Sequence, residues 1–405
     1  MSNNILNIDM ITAKALQILE NELVVTRNVN RQYDDSFAKE GAKIGTMLRV
    51  RLPDRALVTD GAALNVQDEN QQYTTLTVDS QKHIGLNFTT AELTMKLDNF
   101  ADLILKPRIS QLAASIDADV ASGVYKAIFN SVGTPGTVPA TSGVLLAAQQ
   151  KLNESAAGRN PRYATVNPAA NAGLVEGMKG FFNSAGTISS QFKSGMMGTG
   201  VLGYDEIAMS QSIGVHTCGT RSASAATIVA ASVTTQGAAV ITLSQAAVTT
   251  TLAVGDVFTV ADCYAVNPQT RQSTGSLQQF TVTALNTAAG GTWTDVAISP
   301  AIYTSTHALA TVDSFPLINK VVTFLGAASG VYPQNLVYHP DAITFATADL
   351  IMPEGVDMAS RQNHNGISMR IVRQYDINTD RLPCRLDVLY GYKVIRPQMG
   401  VRIWG

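Results

Sequence analysis

The chain has 405 residues, of which 45% are hydrophobic and 15% are charged, and its formal net charge is −2. This hydrophobic content is typical of a folded protein of two or three domains and excludes a disordered chain. The near-neutral charge gives no reason to expect tight nucleic-acid binding across the whole surface, and the scarcity of charge is a first indication that much surface is buried against partners.

The first predicted element is a helix over residues 7–25, "NIDMITAKALQILENELVV". Its apolar positions, which include Ile8, Ile11 and Leu19, recur at steps of three and four residues, and Asn7 is a plausible N-cap. The polar segment that follows offers no surface on which this stripe could pack. We therefore expect the helix to dock elsewhere, either on the chain's own body or on a neighbouring subunit.

Residues 44–88 predict a long two-stranded ribbon. Apolar side chains alternate with polar ones, and a two-stranded ribbon alone is only marginally stable in water. One interpretation of its charges is an exposed edge that stays soluble, and the other is a subunit interface with ion pairs. The charged residues concerned are Arg49, Arg51, Asp54, Arg55 and Asp60.

Helical periodicity is strongest over residues 98–132, with Pro107 near the first turn. A shorter helix is predicted over 144–155. The segment 162–182 indicates strand, turn and helix around Asn-Pro, and 335–350 has the same layout around His-Pro. Residues 368–405 predict antiparallel strands that end the body.

Composition changes at about residue 216, since residues 216–312 contain only five charged side chains. Short β-type runs such as "GDVFTVADCYAV" and "LQQFTVTAL" recur there with turns between them, which is typical of a small barrel or sandwich. The sequence therefore predicts an α+β body interrupted by an inserted all-β domain.

No motif predicts catalysis, and we expect no catalytic, cofactor-binding or metal-binding residues. Gly198–Gly203 matches GxGxxG but is not followed by a helical pattern, so a flexible loop is favoured over a dinucleotide site. His216 and Cys218 supply only half of a zinc site, and strand packing is favoured. The acidic pairs Asp34/Asp35, Asp117/Asp119 and Asp205/Glu206 are interpreted as solvated faces.

Three widely spaced cysteines predict folding in a reducing compartment. The N-terminal residues lack the pattern of a signal peptide, and no apolar run approaches about 18 residues, so no membrane partner is expected.

The order of these parts resembles the major capsid proteins of tailed phages with the Hong Kong 97-type fold, and specifically the coat proteins of the short-tailed Salmonella-phage type with an inserted β-barrel. The resemblance covers nearly the whole chain. The segments that carry it are "RYATVNPAANAGL", "GVLGYDEIAMSQSIGVHT", "VGDVFTVADCYAVNPQTRQSTGSLQQFTV" and "LPCRLDVLYGYKVIRP".

The resemblance implies an α+β capsid fold with an inserted β-barrel and a set of named parts. These are an N-terminal arm (1–33), an extended E-loop (34–88), a peripheral domain with a spine helix (89–135), an axial and peripheral body (136–215 and 314–405) and the barrel (216–313).

The same resemblance implies function and partners. We expect self-assembly into pentamers and hexamers of an icosahedral shell, a scaffolding protein, a portal protein, a procapsid that later expands, and enclosed double-stranded DNA bound without sequence specificity. Assembly is expected in the host bacterial cytoplasm, with the product in the virion. The alternatives are an encapsulin-like compartment shell and a hydrolase whose site is assembled from distant residues.

Overall fold

The computed structural model describes residues 8–31, 47–53, 55–59, 61–62, 66, 72–89, 106–178, 194–195, 197–222, 227–245 and 249–405. Within these residues the architecture is mixed α+β, with few helices and many strands. The helices are α1 (Ile8–Glu22), α2 (Lys106–Ala127), α3 (Ser142–Glu154) and α4 (Pro168–Gly177).

The strands run in chain order as β1 (Met47–Arg51), β2 (Tyr73–Thr77), β3 (Ser80–Thr89), β4 (Ser131–Val132), β5 (Tyr163–Val166), β6 (Gly198–Val201), β7 (Tyr204–Met209), β8 (Val215–Thr217), β9 (Thr227–Val229), β10 (Ala238–Gln245), β11 (Thr251–Leu252), β12 (Val257–Val266), β13 (Ser273–Val282), β14 (Asn286–Thr287), β15 (Thr292–Ile302), β16 (Val321–Phe324), β17 (Val331–Tyr338), β18 (Ile343–Ala348), β19 (Met358–His364), β20 (Ile367–Arg373), β21 (Arg381–Val394) and β22 (Gly400–Trp404).

Two compact units make up the chain. The first comprises Met1–Arg51, Tyr73–Val120 and Ile343–Ile395, and the second comprises Leu52–Gln72, Ala121–Ala342 and Arg396–Gly405. None of the described helices combines the length and the apolar character needed to cross a membrane.

The first unit is built around the 14-residue strand β21. β3 pairs antiparallel along one edge of β21, while β20 and β18 pair with successive parts of its other edge. β19 extends this sheet beyond β20, and α1 packs on β19 and β20. The predicted ribbon is therefore shorter than 44–88, because residues 80–89 leave it to join the β21 sheet.

The second unit contains a sheet in the order β4-β22-β17-β5-β7-β6, with β8 also paired to β17. Apolar residues of α3 and α4 form one buried cluster with this sheet, including Leu152, Leu174 and Ile403. Asn167 caps α4, since its side chain accepts a hydrogen bond from the backbone of Ala170 and Pro168 occupies the first turn. The helix predicted over 144–155 is confirmed, and so are the strand, turn and helix predicted within 162–182, as far as Met178.

Also in the second unit, six strands form a closed barrel in the order β10-β15-β13-β12-β16-β9. Their alternating apolar side chains fill the interior around Trp293, Phe258 and Phe280, all fully buried. Closure removes the free edges that short uncharged strands would otherwise expose. The strand that completes the barrel, β16, lies beyond the predicted boundary at 313.

Two predicted helices differ from the structure. α2 ends at Ala127 rather than near 132, because Ser131 and Val132 turn away to pair in parallel with β22. Residues 98–105 lie outside the described residues. After His339 and a short 3-10 turn at Pro340–Ala342, residues 343–348 form β18 and not a helix, because "ITFATA" is largely buried and pairs with β21.

The pattern Gly198–Gly203 forms part of a hairpin and not a flexible loop. β6 and β7 are joined by Leu202 and Gly203, which both have positive φ, as a tight two-residue turn requires. A strand follows instead of a helix. The dinucleotide interpretation therefore lacks the helix N-terminus on which it depends.

Candidate assembly surface and barrel junction

The ribbon of β1 and β2 has one inward face and one outward face. Leu48 and Leu76 lie opposite each other and pack with Val78 against Ala346 of β18 and Leu389 of β21. This burial anchors the base of the ribbon within the first unit. The apolar row of the ribbon is therefore partly buried within its own chain.

The outer ribbon face consists of Met47, Arg49, Arg51 and Tyr73, and all four are exposed. The Arg49 guanidinium lies 5.1 Å from the centre of the Tyr73 ring, in a cation–π contact. The face thus combines two basic side chains with an exposed methionine and an exposed tyrosine.

Gly391 permits close approach between β21 and the ribbon. A Cβ atom at this position would lie 1.9 Å from the carbonyl oxygen of Thr77, closer than any real contact. In addition, Lys393 Nζ donates a 2.7 Å hydrogen bond to the carbonyl of Thr75. A larger residue at position 391 would therefore clash with the base of the ribbon at Thr77.

The remaining predicted interface residues are placed differently. Arg55 is half-buried in the second unit, where burial, followed by the charge of Arg396, lowers the pKa of its guanidinium. Asp54, Asp60 and the side chain of Ile8 lie outside the described residues.

On α1, Leu19 is completely buried and Ile11 is half-buried. The sequence leaves two docking sites open for α1, the chain's own body and a neighbouring subunit. In the structure α1 packs on β19 and β20 of its own chain. Leu19 is therefore buried within its own chain.

Asp117 holds the turn that follows α1. Its Oδ2 accepts hydrogen bonds from the backbone of Val24 (2.6 Å) and Val25 (3.3 Å), and its Oδ1 accepts from the backbone and hydroxyl of Thr26 (3.1 and 2.5 Å). Asp117 is therefore buried and bonded, which corrects the interpretation of this acidic pair as solvated. Its neighbour Asp119 accepts a hydrogen bond from the Tyr390 hydroxyl.

The other acidic pairs show no catalytic arrangement among the described residues. Asp205 is exposed and accepts a 2.7 Å hydrogen bond from the backbone of Arg162. Asp34 and Asp35 lie outside the described residues.

A buried charge cluster lies where the barrel meets the sheet of the second unit. Asp256, immediately before β12, is completely buried. It is bonded to Arg221 Nη1 (2.9 Å) and His216 Nε2 (3.0 Å), and it accepts hydrogen bonds from the backbone of Gly219 and Ala253. The four partners precede β12, so the carboxylate fastens this connection to the barrel.

The electrostatics of Asp256 follow from these bonds. Burial alone would raise its pKa, but the hydrogen bond with His216 and the charge of Arg221 hold the pKa below the ordinary aspartate value. The carboxylate is therefore ionised throughout the physiological range. The Arg221 guanidinium also stacks on the ring of Phe324, 4.3 Å from its centre.

His216, Cys218 and Asp256 bring one potential metal-ligand atom each within 4.8 Å of one another. The set does not fit a structural zinc ion, which needs four ligands, since no fourth candidate joins them in the described part of the chain. Asp256 already binds Arg221, and burial, followed by the Asp256 charge, raises the pKa of the Cys218 thiol. The three cysteines are free.

Further bonds join the barrel to the body sheet. Gln279 of β13 is bonded to both backbone groups of Ser131, accepting at 2.7 Å and donating at 2.9 Å. Thr281 donates to the carbonyl of Lys126, and Arg402 donates to that of Gly255. The barrel is thus fixed to β4, β22 and the end of α2 by polar contacts.

Comparison with known proteins matches residues 1–405 to the family model described as P22 coat protein, gene protein 5. No curated protein matches the chain. Among solved structures, a chain from Mycobacterium phage Che8 is 12% identical, with 94% of this chain and 90% of that chain covered and a TM-score of 0.48.

The capsid of Ralstonia phage GP4 is 8% identical, with coverages of 93% and 86% and a TM-score of 0.44. A virus-like particle from Pyrococcus furiosus is 9% identical, with 97% of each chain covered and a TM-score of 0.40. The family assignment rests on the match of the family model to the full length. The chain therefore belongs to the P22 coat protein family and is a major capsid protein that forms the shell of a bacteriophage.

Proposed function

We propose that this coat protein assembles as pentamers and hexamers of an icosahedral shell, through a procapsid built with a scaffolding protein and carrying a portal protein. The shell then encloses double-stranded DNA and expands. The observation that carries this proposal is the family match over residues 1–405. Assembly takes place in the host cytoplasm, and the sequence-level alternatives, an encapsulin-like compartment and a hydrolase, have no such support.

The parts of the subunit are assigned accordingly. α1 belongs to the N-terminal arm, the β1–β2 ribbon to the E-loop, and α2 is the spine helix of a Hong Kong 97-type fold. The closed barrel is the inserted domain of the Salmonella-phage type. Supporting this assignment, the barrel strands run from Thr227 to Phe324 between two parts of one sheet, with β5 and β7 before them and β17 and β22 after them.

The outer ribbon face is proposed as a contact with a neighbouring subunit, and Arg55, Asp54 and Asp60 remain separate interface predictions. Its support is exposure, since Tyr73 and Met47 are 59% and 63% exposed on a ribbon whose other face is packed. Many such modest contacts add up in a closed shell, so no single strong bond is needed.

The experiment reverses charge on this face. Full-length Arg49→Glu/Arg51→Glu protein, co-expressed with the scaffolding protein, should yield few closed particles by negative-stain electron microscopy. The matched control Arg49→Lys/Arg51→Lys keeps the charge and should assemble. Because both arginines are exposed, the midpoint of subunit unfolding should be unchanged. Normal assembly of the glutamate variant would show that this face of the ribbon is not part of a subunit interface.

A further inference from the structure

Arg402 of β22 is a completely buried arginine whose bonds do not use all its donors. Nη1 donates a 2.8 Å hydrogen bond to the carbonyl of Gly255. Nε and Nη2 have no hydrogen-bond partner among the described residues. These two nitrogens form one edge of the planar guanidinium, which is the edge that binds anions with two parallel N–H bonds.

A third donor without a partner belongs to the aromatic ring over which the guanidinium lies. Trp404 is two residues along the same strand, so its side chain projects from the same face as that of Arg402, and its Nε1 also has no partner in the described part of the chain. The guanidinium carbon lies 5.7 Å from the Trp404 ring and 5.9 Å from the Tyr125 ring. Two aromatic rings thus lie close to the guanidinium, while Nε and Nη2 have no partner among the described residues.

The charges nearby do not balance. Asp256 is the carboxylate that interacts with Arg402, but its oxygens are already bonded to Arg221, His216 and two backbone groups. Two buried arginines against one buried aspartate leave an excess positive charge. Burial lowers the pKa of Arg402 to about 10, which still leaves it protonated at neutral pH. A buried charge without a counter-charge is costly.

We propose that the junction between the barrel and the body sheet binds a small inorganic anion of halide size, held by Nε and Nη2 of Arg402 and by Nε1 of Trp404. Three N–H donors and an uncompensated positive charge are the groups that recognise such an ion. Complete burial of both side chains favours a halide over a phosphate. The ion supplies the missing counter-charge and so stabilises the attachment of the barrel.

Two oxygen acceptors without partners support a competing explanation, which is a bound water molecule in place of an anion. Gln334 Oε1 lies on the strand position paired with Trp404, and Ser131 Oγ lies on the position paired with Arg402, and both lack partners among the described residues. A water molecule bridging these oxygens to the arginine would also satisfy the donors. A water and an anion differ in whether stability depends on the identity of the salt.

The test compares sodium chloride with sodium gluconate at equal ionic strength in thermal unfolding of full-length unassembled subunits. The midpoint should rise by about 1–2 °C for each tenfold increase in chloride above the dissociation constant. Arg402→Met should lose this dependence, whereas Arg159→Met, at an exposed arginine of the same unit, should keep it. Equal midpoints in the two salts for the wild-type chain would overturn the proposal in favour of water.

Two further readouts cover the case in which Arg402→Met does not fold. Trp404→Phe removes one donor, so a higher chloride concentration should be needed for the same rise in the unfolding midpoint. An unchanged chloride dependence would show that Trp404 does not bind the ion. A crystal structure of the subunit grown in bromide should show anomalous scattering beside Nε and Nη2 of Arg402. Absence of that peak at saturating bromide would contradict the proposal.

Discussion

The bonds around Asp256 predict that Asp256→Asn strongly destabilises the subunit. The substitution keeps the size of the side chain and one oxygen acceptor, so the backbone bonds from Gly219 and Ala253 are partly retained. It removes the charge that faces Arg221 and turns an N–H donor towards Arg221 or His216. Two buried arginines then have no carboxylate.

Breaking one partner of a buried ion pair costs about 3–5 kcal/mol, because the other charge stays buried without compensation. We therefore expect the free energy of unfolding to fall by about that amount. Reversible urea denaturation of unassembled subunits measures it, followed by the fluorescence of Trp293 in the barrel core and Trp404 beside the cluster. The midpoint should move to lower urea at unchanged slope.

Asp262→Asn is the matched control, because Asp262 forms an exposed ion pair with Lys320 on the same barrel. Its cost should be at most about 1 kcal/mol. The double variant Asp256→Asn/Arg221→Met should recover part of the loss, since it removes the uncompensated charge. If Asp256→Asn costs no more than Asp262→Asn, the buried cluster does not fasten the barrel and the reasoning fails.

Three single contacts can be tested in the same unassembled subunit. Because the pKa of Asp256 is lowered in the folded state, the carboxylate's contribution to stability is complete above the unfolded pKa of about 3.9 and is lost as pH falls through the folded pKa. The difference in unfolding free energy between wild type and Asp256→Asn should therefore stay constant from pH 7 to 5 and shrink below about pH 4. A difference that already shrinks at pH 6 would contradict the direction of this pKa shift. Asp117→Ala should leave the donors of Val24–Thr26 without their acceptor and lower the free energy of unfolding by about 2–4 kcal/mol. Hydrogen exchange of these amides should become faster. The control Glu22→Gln, at an exposed contact with Ser110, should leave their exchange unchanged. Gly391→Ala should displace Thr77 and the ribbon base, and so lower the midpoint of subunit unfolding. The matched control Gly85→Ala, with open space around its Cβ position and no positive φ, should leave the ribbon in place. Protection of Thr75–Thr77 in hydrogen exchange distinguishes the two outcomes.

The helices were the most predictable part of the fold, because their apolar residues repeat at helical spacing. The segment 335–350 shows where this reasoning fails. Both this segment and 163–177 contain a strand followed by a proline-containing turn. Asn167 then caps a helix with its side chain, whereas β18 after His339 contains the β-branched residues Ile343, Thr344 and Thr347 and pairs with β21. Pairing with a distant strand is decided by tertiary contacts and not by local sequence.

The ribbon illustrates a second limit. Alternation correctly placed Leu48 opposite the face of Arg49 and Arg51, but it could not show that Ser80 begins a new strand along β21. Both segments alternate in the same way, and the partner strand is about 300 residues away in sequence. The pattern gives the faces of a strand, while its partner depends on the assembled fold.

The barrel junction was the least predictable feature. The sequence pattern singles out only His216 and Cys218, as half of a zinc site. A usable signal was present, because Arg221 and Asp256 are two of only five charged residues between 216 and 312. In an almost uncharged domain, an acid and a base are expected to be paired. Arg402 lies far along the chain and carries no such signal.

The outer ribbon face is proposed to contact a neighbouring copy in a closed shell. Cryo-electron microscopy of particles assembled from the full-length chain with its scaffolding protein tests this most directly. We expect closed icosahedral particles in which Arg49, Arg51 and Tyr73 lie against an adjacent subunit. Particles in which this face remains exposed to solvent, or a chain that stays monomeric beside its scaffolding protein at high concentration, would contradict the account.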